Sequence, residues 1–398
     1  MHFTFPNPVR GHRKTPVMTE RQNNILLSPP DLGSEESRMM MEAIASNWIA
    51  PIGPDLDAFE REIGAKTGTR HVCGVSSGTA AIHLGLKVLG VESGDQVLCS
   101  SLTFVASANP IRYCGAEPLL IDADPQTWCM SLPALKRMLE RLDKDGRLPK
   151  VCIPVSLYGQ SADLPNICEL CAKYGVKVLD EAAESMGATH GDRMSGSFGD
   201  LGVYSFNGNK IITTSGGGAL VSDDPELIAR ARFMATQSRD ESGIGAYEHS
   251  TLGYNYRLSN LLAAIGRAQL ARLDERIVAR RAIFDRYVHM LEGTQGIEWM
   301  PEAIYGRCTR WLSCCLVKDA ETRDRILSGF RKMDIDARPV WKPMHLQPLY
   351  RNCAYESHQT GVDVSAMLFE RGLCLPSGSG LTREQQDRVV NTFRSVLL

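Results

Sequence analysis

Apolar positions along the chain fall into two alternating rhythms. From about Ser34 to Ser46 they recur at helical spacing, and again over Thr79–Leu89, where Gly90 ends the run. Between such stretches lie short, almost wholly apolar runs: Gln96–Ser100, Pro118–Ile121, Val151–Val155 and Val176–Leu179, with a helical stretch over Leu164–Tyr174. Short apolar runs separated by helices predict crossover units and a mainly parallel sheet, an α/β fold. Leu258–His289 reads as one long helix, rich in Ala, Leu and Arg. This pattern predicts a large domain over 25–275 and a smaller C-terminal α+β domain over 276–398. Residues 1–24 are polar, basic and without periodicity, and read as a flexible arm. Met18 is an alternative start.

Composition narrows the class. The 398 residues are 43% apolar and 23% charged, a globular mix long enough for two cores. A net charge of −2 points away from nucleic acid. No apolar run is long enough for a bilayer span, and the basic N-terminus lacks the apolar core of a secretory signal. A cytoplasmic protein is expected. Twelve cysteines lie scattered, many inside apolar runs, and read as buried free thiols. Cys168 and Cys171 form a lone CxxC on a predicted helix. With no second pair to complete four ligands, no metal site is expected.

Four constellations carry candidate chemistry. Ser76-Ser77-Gly78-Thr79 leads straight into a helix, whose free first-turn amides suit a phosphate. An ordinary helix cap has the same composition. Neither a Walker loop nor a dinucleotide fingerprint is present. Lys210 lies between Ser205-Phe206-Asn207-Gly208-Asn209 and Thr213-Thr214-Ser215-Gly216-Gly217-Gly218. Such a lysine could add to a carbonyl carbon, or could simply be solvated. Asp180-Glu181-Ala182-Ala183-Glu184 ends a buried strand, where open α/β sheets bind ligands. These acids suit a cation or a protonated ring nitrogen, or a solvated loop. Asn255 and Arg257 alternate before a helix and suit phosphate or carboxylate, or a surface loop.

In this order, the blocks resemble the sugar-aminotransferase branch of the aspartate-aminotransferase fold, the DegT/DnrJ/EryC1/StrS family, over about 25–398. Within it the resemblance is closest to enzymes making UDP-linked bacillosamine precursors for bacterial glycans. It is carried by Leu27-Ser28-Pro29-Pro30, Ser46-Asn47-Trp48-Ile49-Ala50-Pro51-Ile52-Gly53, Asn207 to Gly218, Arg338-Pro339-Val340-Trp341-Lys342-Pro343-Met344-His345 and Cys374-Leu375-Pro376-Ser377-Gly378. The resemblance implies a type I fold with a seven-stranded large-domain sheet and pyridoxal 5'-phosphate as cofactor. Lys210 would hold the cofactor covalently and carry the proton shift. Gly78, Thr79 and Ser205 would take its phosphate, Phe104 would stack on its ring, and Glu184 would lie near its phenolic oxygen. Asn255 and Arg257 would reach the phosphate region of a neighbouring subunit, making a homodimer with shared sites. Trp48, Trp341 and His345 would sit near the sugar nucleotide. L-glutamate, leaving as 2-oxoglutarate, would give the amino group to a UDP-linked 2-acetamido-4-keto-6-deoxyhexose.

The chain departs from the family once. Glu181 stands where an aspartate is usual, and Asp180, one step along the strand, should face the other way. Glu181 is therefore expected to partner the ring nitrogen. Two other readings remain at this point. A related dehydratase would have a histidine in place of Lys210, and a non-catalytic PLP-fold binding or regulatory protein would not need the lysine.

Overall fold

The computed structural model describes residues 24–240 and 247–397. The proposed arm lies outside the described residues, except for Asn24 at its end. At the centre is an eight-stranded sheet in the order His71–Val75, Gly218–Ser222, Leu201–Ser205, Lys177–Glu181, Val151–Ile153, Gln96–Ser100, Glu117–Ile121 and Tyr355–Glu356. All neighbours run parallel except at Gly218–Ser222, which is antiparallel to both of its partners. Seven strands come from the large domain. The eighth, Tyr355–Glu356, is added at the edge by the C-terminal region. The expected seven-stranded sheet thus gains a strand.

The apolar runs are explained by burial on both faces. Leu98, Leu119 and Val178 pack into a core on one side of the sheet. Their chain neighbours Val97, Cys99, Leu120 and Leu179 pack into a second core on the other. A strand with no solvated face has no polar alternation to show. Helix Gly78–Val88 lies against the second face, where Gly85 lets it come close: a Cβ there would stand 2.9 Å from Leu179.

The C-terminal region forms a four-stranded antiparallel sheet, ordered Glu298–Trp299, Ser313–Leu316, Gly372–Leu375 and Arg338–Pro339. Helices Ala320–Lys332 and Arg383–Leu397 cover it around Ile326, Phe330, Val389 and Phe393. Ile25 joins this core and bridges to Ile335, so the first described residues pack with the C-terminal sheet. The helix expected over Leu258–His289 is two helices, Asn260–Ala271 and Leu273–Met290. They meet at Arg272, whose φ of −105° and ψ of 10° break the run. The second helix carries Leu273 and Ile277 in the large core and Ile283 and Tyr287 in the C-terminal one.

All twelve cysteines are free. Cys171 is buried and Cys168 partly so, both on helix Leu164–Lys173. Among the described residues no cluster of three metal-binding side chains occurs, and no helix is long and apolar enough to cross a membrane.

Candidate active site

A cavity of about 320 Å³ opens at the C-terminal ends of the central strands and is lined by Gly78, Thr79, Phe104, Glu181, Ser205 and Lys210, with Glu184 and Trp341. Eight of the residues expected from the sequence thus meet in one place. Among the described residues four larger clefts lie open on the surface, one of them beside the cavity at Phe104 and Trp341, but none is lined by this lysine and the buried acids.

One wall is the start of helix Gly78–Val88. Ser77 caps it, its hydroxyl accepting from the amide of Ala80. The first-turn amides of Gly78 and Thr79 have no partner within the helix and border the cavity. Backbone packing here leaves no room for side chains. A Cβ at Gly78 would stand 2.9 Å from Cβ of Ser205, and one at Gly218 would stand 2.6 Å from the Gly78 nitrogen. Free amides, a hydroxyl and a helix N-terminus in a cradle that a Cβ would fill suit a phosphate ester.

The floor is the end of strand Lys177–Glu181. The strand runs two residues further than the apolar run implied, so both acids lie in regular β geometry. Their side chains part as alternation requires. Asp180 turns away from the cavity and accepts from the amides of Gly196 and Phe198, at 2.6 and 3.3 Å. Glu181 turns into it, accepting from Ser107 Oγ at 3.2 Å and from the amide of Ala183 at 2.8 Å. Burial pushes the Glu181 carboxyl up to about 7, with Glu184 adding to the rise and Lys210 opposing it. Burial pushes Asp180 up to about 8 despite its two amide donors.

Lys210 projects from the turn after Ser205. Its Nζ lies 3.5 Å from Glu184 Oε1 and 4.4 Å from the centre of the Trp311 ring. Glu184 also accepts from Trp341 Nε1 at 3.2 Å and from the Tyr158 amide at 3.2 Å. Trp341 is fixed in turn by its amide, which donates to the Tyr158 hydroxyl, and faces Phe104 with ring centres 5.1 Å apart. Phe104 is 47% exposed, an apolar face presented to the cavity mouth.

Four expected residues lie apart from this group. Arg257 is turned inward, its side chain 7% exposed, and donates to Glu60 Oε1 at 2.6 Å and to the Gly74 carbonyl at 2.9 Å. Within the single chain these contacts hold one end of its guanidinium, and its expected reach toward a neighbouring subunit stays a proposal. Asn255 is exposed beside it. His345 has both ring nitrogens engaged, Nδ1 at 2.7 Å from Ser101 Oγ and Nε2 at 2.9 Å from Asp363 Oδ2, and it stacks on Tyr355. It ties the chain after Trp341 to the sheet, and its expected place near a sugar nucleotide stays a proposal. Trp48 is 45% exposed on the segment before Gly53.

The sequence reading missed Trp311, Ser107 and Tyr158. Ser107 sits three residues after Phe104 in the same block, a signal that was available. Trp311 and Tyr158 reach the site only through tertiary packing, and no local pattern marks them.

The fold and this site define a pyridoxal-phosphate-dependent aminotransferase. The chain belongs to the DegT/DnrJ/EryC1/StrS aminotransferase family, whose model matches residues 30–394. It is 48% identical to EpsN of Bacillus subtilis (strain 168), named as a candidate pyridoxal phosphate-dependent aminotransferase, over 93% of this chain and 95% of that one. It is 35% identical to GDP-perosamine synthase of Caulobacter vibrioides, over 94% and 98% of the two chains. The crystal structure of the aminotransferase TlmJ from Streptoalloteichus hindustanus superposes with a TM-score of 0.84, at 29% identity, covering 94% of this chain and 99% of that one. The family uses pyridoxal phosphate, and the lysine, phosphate cradle and buried acid found here fit that cofactor. The chain is thus a sugar aminotransferase.

Proposed function

We propose that this enzyme transfers the amino group of L-glutamate to the C4 ketone of a UDP-linked 2-acetamido-4-keto-6-deoxyhexose, as a cytoplasmic homodimer. The observation that carries the reading is the placement of the Lys210 amine between Glu184 and the Trp311 face, in one cavity with the buried Glu181. The sugar is argued from the sequence blocks around Trp48, Lys210 and Trp341. The lysine itself favours transamination over the related dehydration and over a binding-only role.

Pyridoxal phosphate, when bound, supplies an aldehyde carbon and an electron-accepting ring. The chain's own groups do the rest. The Gly78 and Thr79 amides and the Ser205 hydroxyl bind the phosphate. Phe104 covers a ring face. Glu181 is the acid for the ring nitrogen, where a facing positive charge would draw its raised pKa back down. Ser107 and the Ala183 amide keep that carboxyl aimed. Lys210 Nζ is the one amine in the cavity lining, so it would move a proton from the donor's α-carbon to the cofactor's aldehyde-derived carbon in the first half of the cycle, and from that carbon to C4 of the sugar in the second. Glu184 and Trp311 hold that amine in place while it is free.

The relative from Caulobacter is named for a GDP-linked product, so the base is the feature to test. Matched UDP-, GDP- and dTDP-linked 4-keto-6-deoxyhexoses, with and without a 2-acetamido group, are incubated with glutamate and the products identified by mass and NMR. The expected result is a 4-amino product from the UDP-linked acetamido sugar at the highest kcat/KM. A preference for GDP or dTDP by tenfold or more would overturn the substrate, and no amino sugar from any of them would overturn the reaction.

A further inference from the structure

The carbonyl of Asn209, on the peptide that leads into Lys210, receives two hydrogen bonds from opposite ends of the chain. Ser28 Oγ donates to it at 2.7 Å and Trp311 Nε1 at 2.9 Å. Ser28 is fixed in turn by Arg280, whose Nη2 lies 3.1 Å from Ser28 Oγ. A guanidinium can only donate. Arg280 therefore occupies a lone pair of Ser28 and leaves the hydroxyl proton to point at Asn209. The same guanidinium donates through Nη1 to the carbonyls of Trp311 and Ser377.

Arg280 is an unusual group to bury. It is 1% exposed, and its recorded partners are three neutral oxygens. Among the described residues its Nε has no hydrogen-bond partner. Burial pushes its pKa down to about 9, the nearby Arg276 adds to the fall, and Asp31, bonded to Arg276 at 2.7 Å, offsets part of it. A cation taken out of water without a direct counter-ion costs stability. The fold carries that cost at the one place where the N-terminal segment, the Trp311 loop and the Lys210 turn converge.

We propose that Arg280 and Ser28 are positioning residues for Lys210. Together with Trp311 they clamp the Asn209–Lys210 peptide, so that the lysine keeps its amine over the Trp311 ring whether or not it is bonded to the cofactor. Trp311 acts twice, pinning the backbone by its indole nitrogen and backing the amine by its ring. Neither Ser28 nor Arg280 lines the cavity or meets the reacting atoms. This inference rests on Lys210 being the cofactor-bearing lysine. Borohydride trapping of the cofactor, followed by peptide mapping, tests that reading separately.

The clamp is tested on the cofactor-free protein by the rate at which Lys210 reacts with an amine-directed acylating reagent across pH 7–10, read by peptide mass spectrometry. Ser28→Ala should label Lys210 at least threefold faster or shift the midpoint of its pH profile. Ser28→Thr keeps the hydroxyl and should stay within twofold of wild type. In the holoenzyme, Ser28→Ala should lower kcat by about tenfold with KM for glutamate nearly unchanged, because orientation of the amine and not substrate binding is lost. Trp311→Phe removes the second donor and keeps a ring. Its effect combined with Ser28→Ala should be non-additive, since both act on one carbonyl. The clamp is overturned if Ser28→Ala labels and turns over like wild type. It is equally overturned if Ser28→Thr is as damaging as Ser28→Ala, which would make packing the cause. Strict additivity of the two changes would also sink it.

Discussion

A carboxyl group with little water around it keeps its proton to higher pH, and the two adjacent acids of strand Lys177–Glu181 use that fact on opposite faces. Glu181→Ala should leave the cofactor bound but slow the proton shift by roughly 100-fold or more, because the ring becomes a poorer electron sink. Glu181→Asp restores the usual family residue and should stay within about tenfold, since a shortened side chain leaves Ser107 and the Ala183 amide to adjust. Asp180→Asn should change the rate far less, its partners being the amides of Gly196 and Phe198 away from the cavity. Single-turnover absorbance changes with glutamate decide among them. If Asp180→Asn is the crippled variant, the assignment of the ring partner is wrong. The same two acids set a pH dependence for the cofactor-free protein. Their folded pKa values, about 7 and about 8, lie above the ordinary 4.5 and 3.8. Both therefore favour folding fully below about pH 4, and that contribution declines as pH rises and is gone above about pH 8. The melting temperature should fall across this window, and Glu181→Gln should flatten part of the fall. An unchanged slope in that variant would mean that Glu181 ionises freely in the fold.

Glu60, on helix Pro54–Thr67, joins that helix through charge to one other helix and to the extended segment before helix Asn260–Ala271. One oxygen accepts from Arg257 and from the Gly74 amide, and the other from Arg232 on helix Pro225–Ala235. Arg257→Ala would strand part of a buried carboxylate and should destabilise the protein by about 2–4 kcal/mol, Arg232 remaining as partial compensation. A urea titration checks this, and a loss below about 0.5 kcal/mol, ordinary for an exposed substitution, would show that Glu60 is rehydrated. The case also shows what kind of information a sequence holds. The period of the apolar residues located helices such as Ser34–Ala45 and strands such as Gln96–Ser100 to within a residue or two, because burial writes itself into local spacing. The glycine-lined start of helix Gly78–Val88 and the Lys210 turn were legible for a similar reason, since glycine and helix-capping residues have local causes. The direction of Arg257 was not. An arginine looks the same in sequence whether it faces solvent, a neighbour or a glutamate nearly two hundred residues earlier. The break at Arg272 was hidden because helix-forming residues continue on both sides of it, and the two-residue edge strand Tyr355–Glu356 is too short to have a period.

At the scale of the whole molecule, the segment between the first two helices presents Trp48, Ile49 and Ile52 to solvent, at 45%, 58% and 63% exposure. Apolar groups gathered on one exposed turn support the proposed association of two copies. If Asn255 completes a neighbour's phosphate site, Asn255→Ala and Lys210→Ala subunits, each inactive or weak alone, should regain about a quarter of wild-type activity when mixed, by the statistics of a two-fold dimer. No recovery, with subunit exchange shown by mass spectrometry of labelled chains, would mean that each copy holds a complete site. The edge strand has a mechanical consequence of its own. Tyr355–Glu356 leaves the C-terminal sheet, hydrogen-bonds alongside Glu117–Ile121, and is further fastened by the Glu356 carboxylate to Arg137 and Arg141 before the chain goes back. Together with helix Leu273–Met290, embedded in both cores, this gives the two halves several separate joints. A body joined at one point can swing, whereas one joined at several can only flex between them. Access for a bulky sugar nucleotide therefore falls to side chains at the mouth, Phe104 and Trp341 first among them, and not to a jaw-like parting of the two halves.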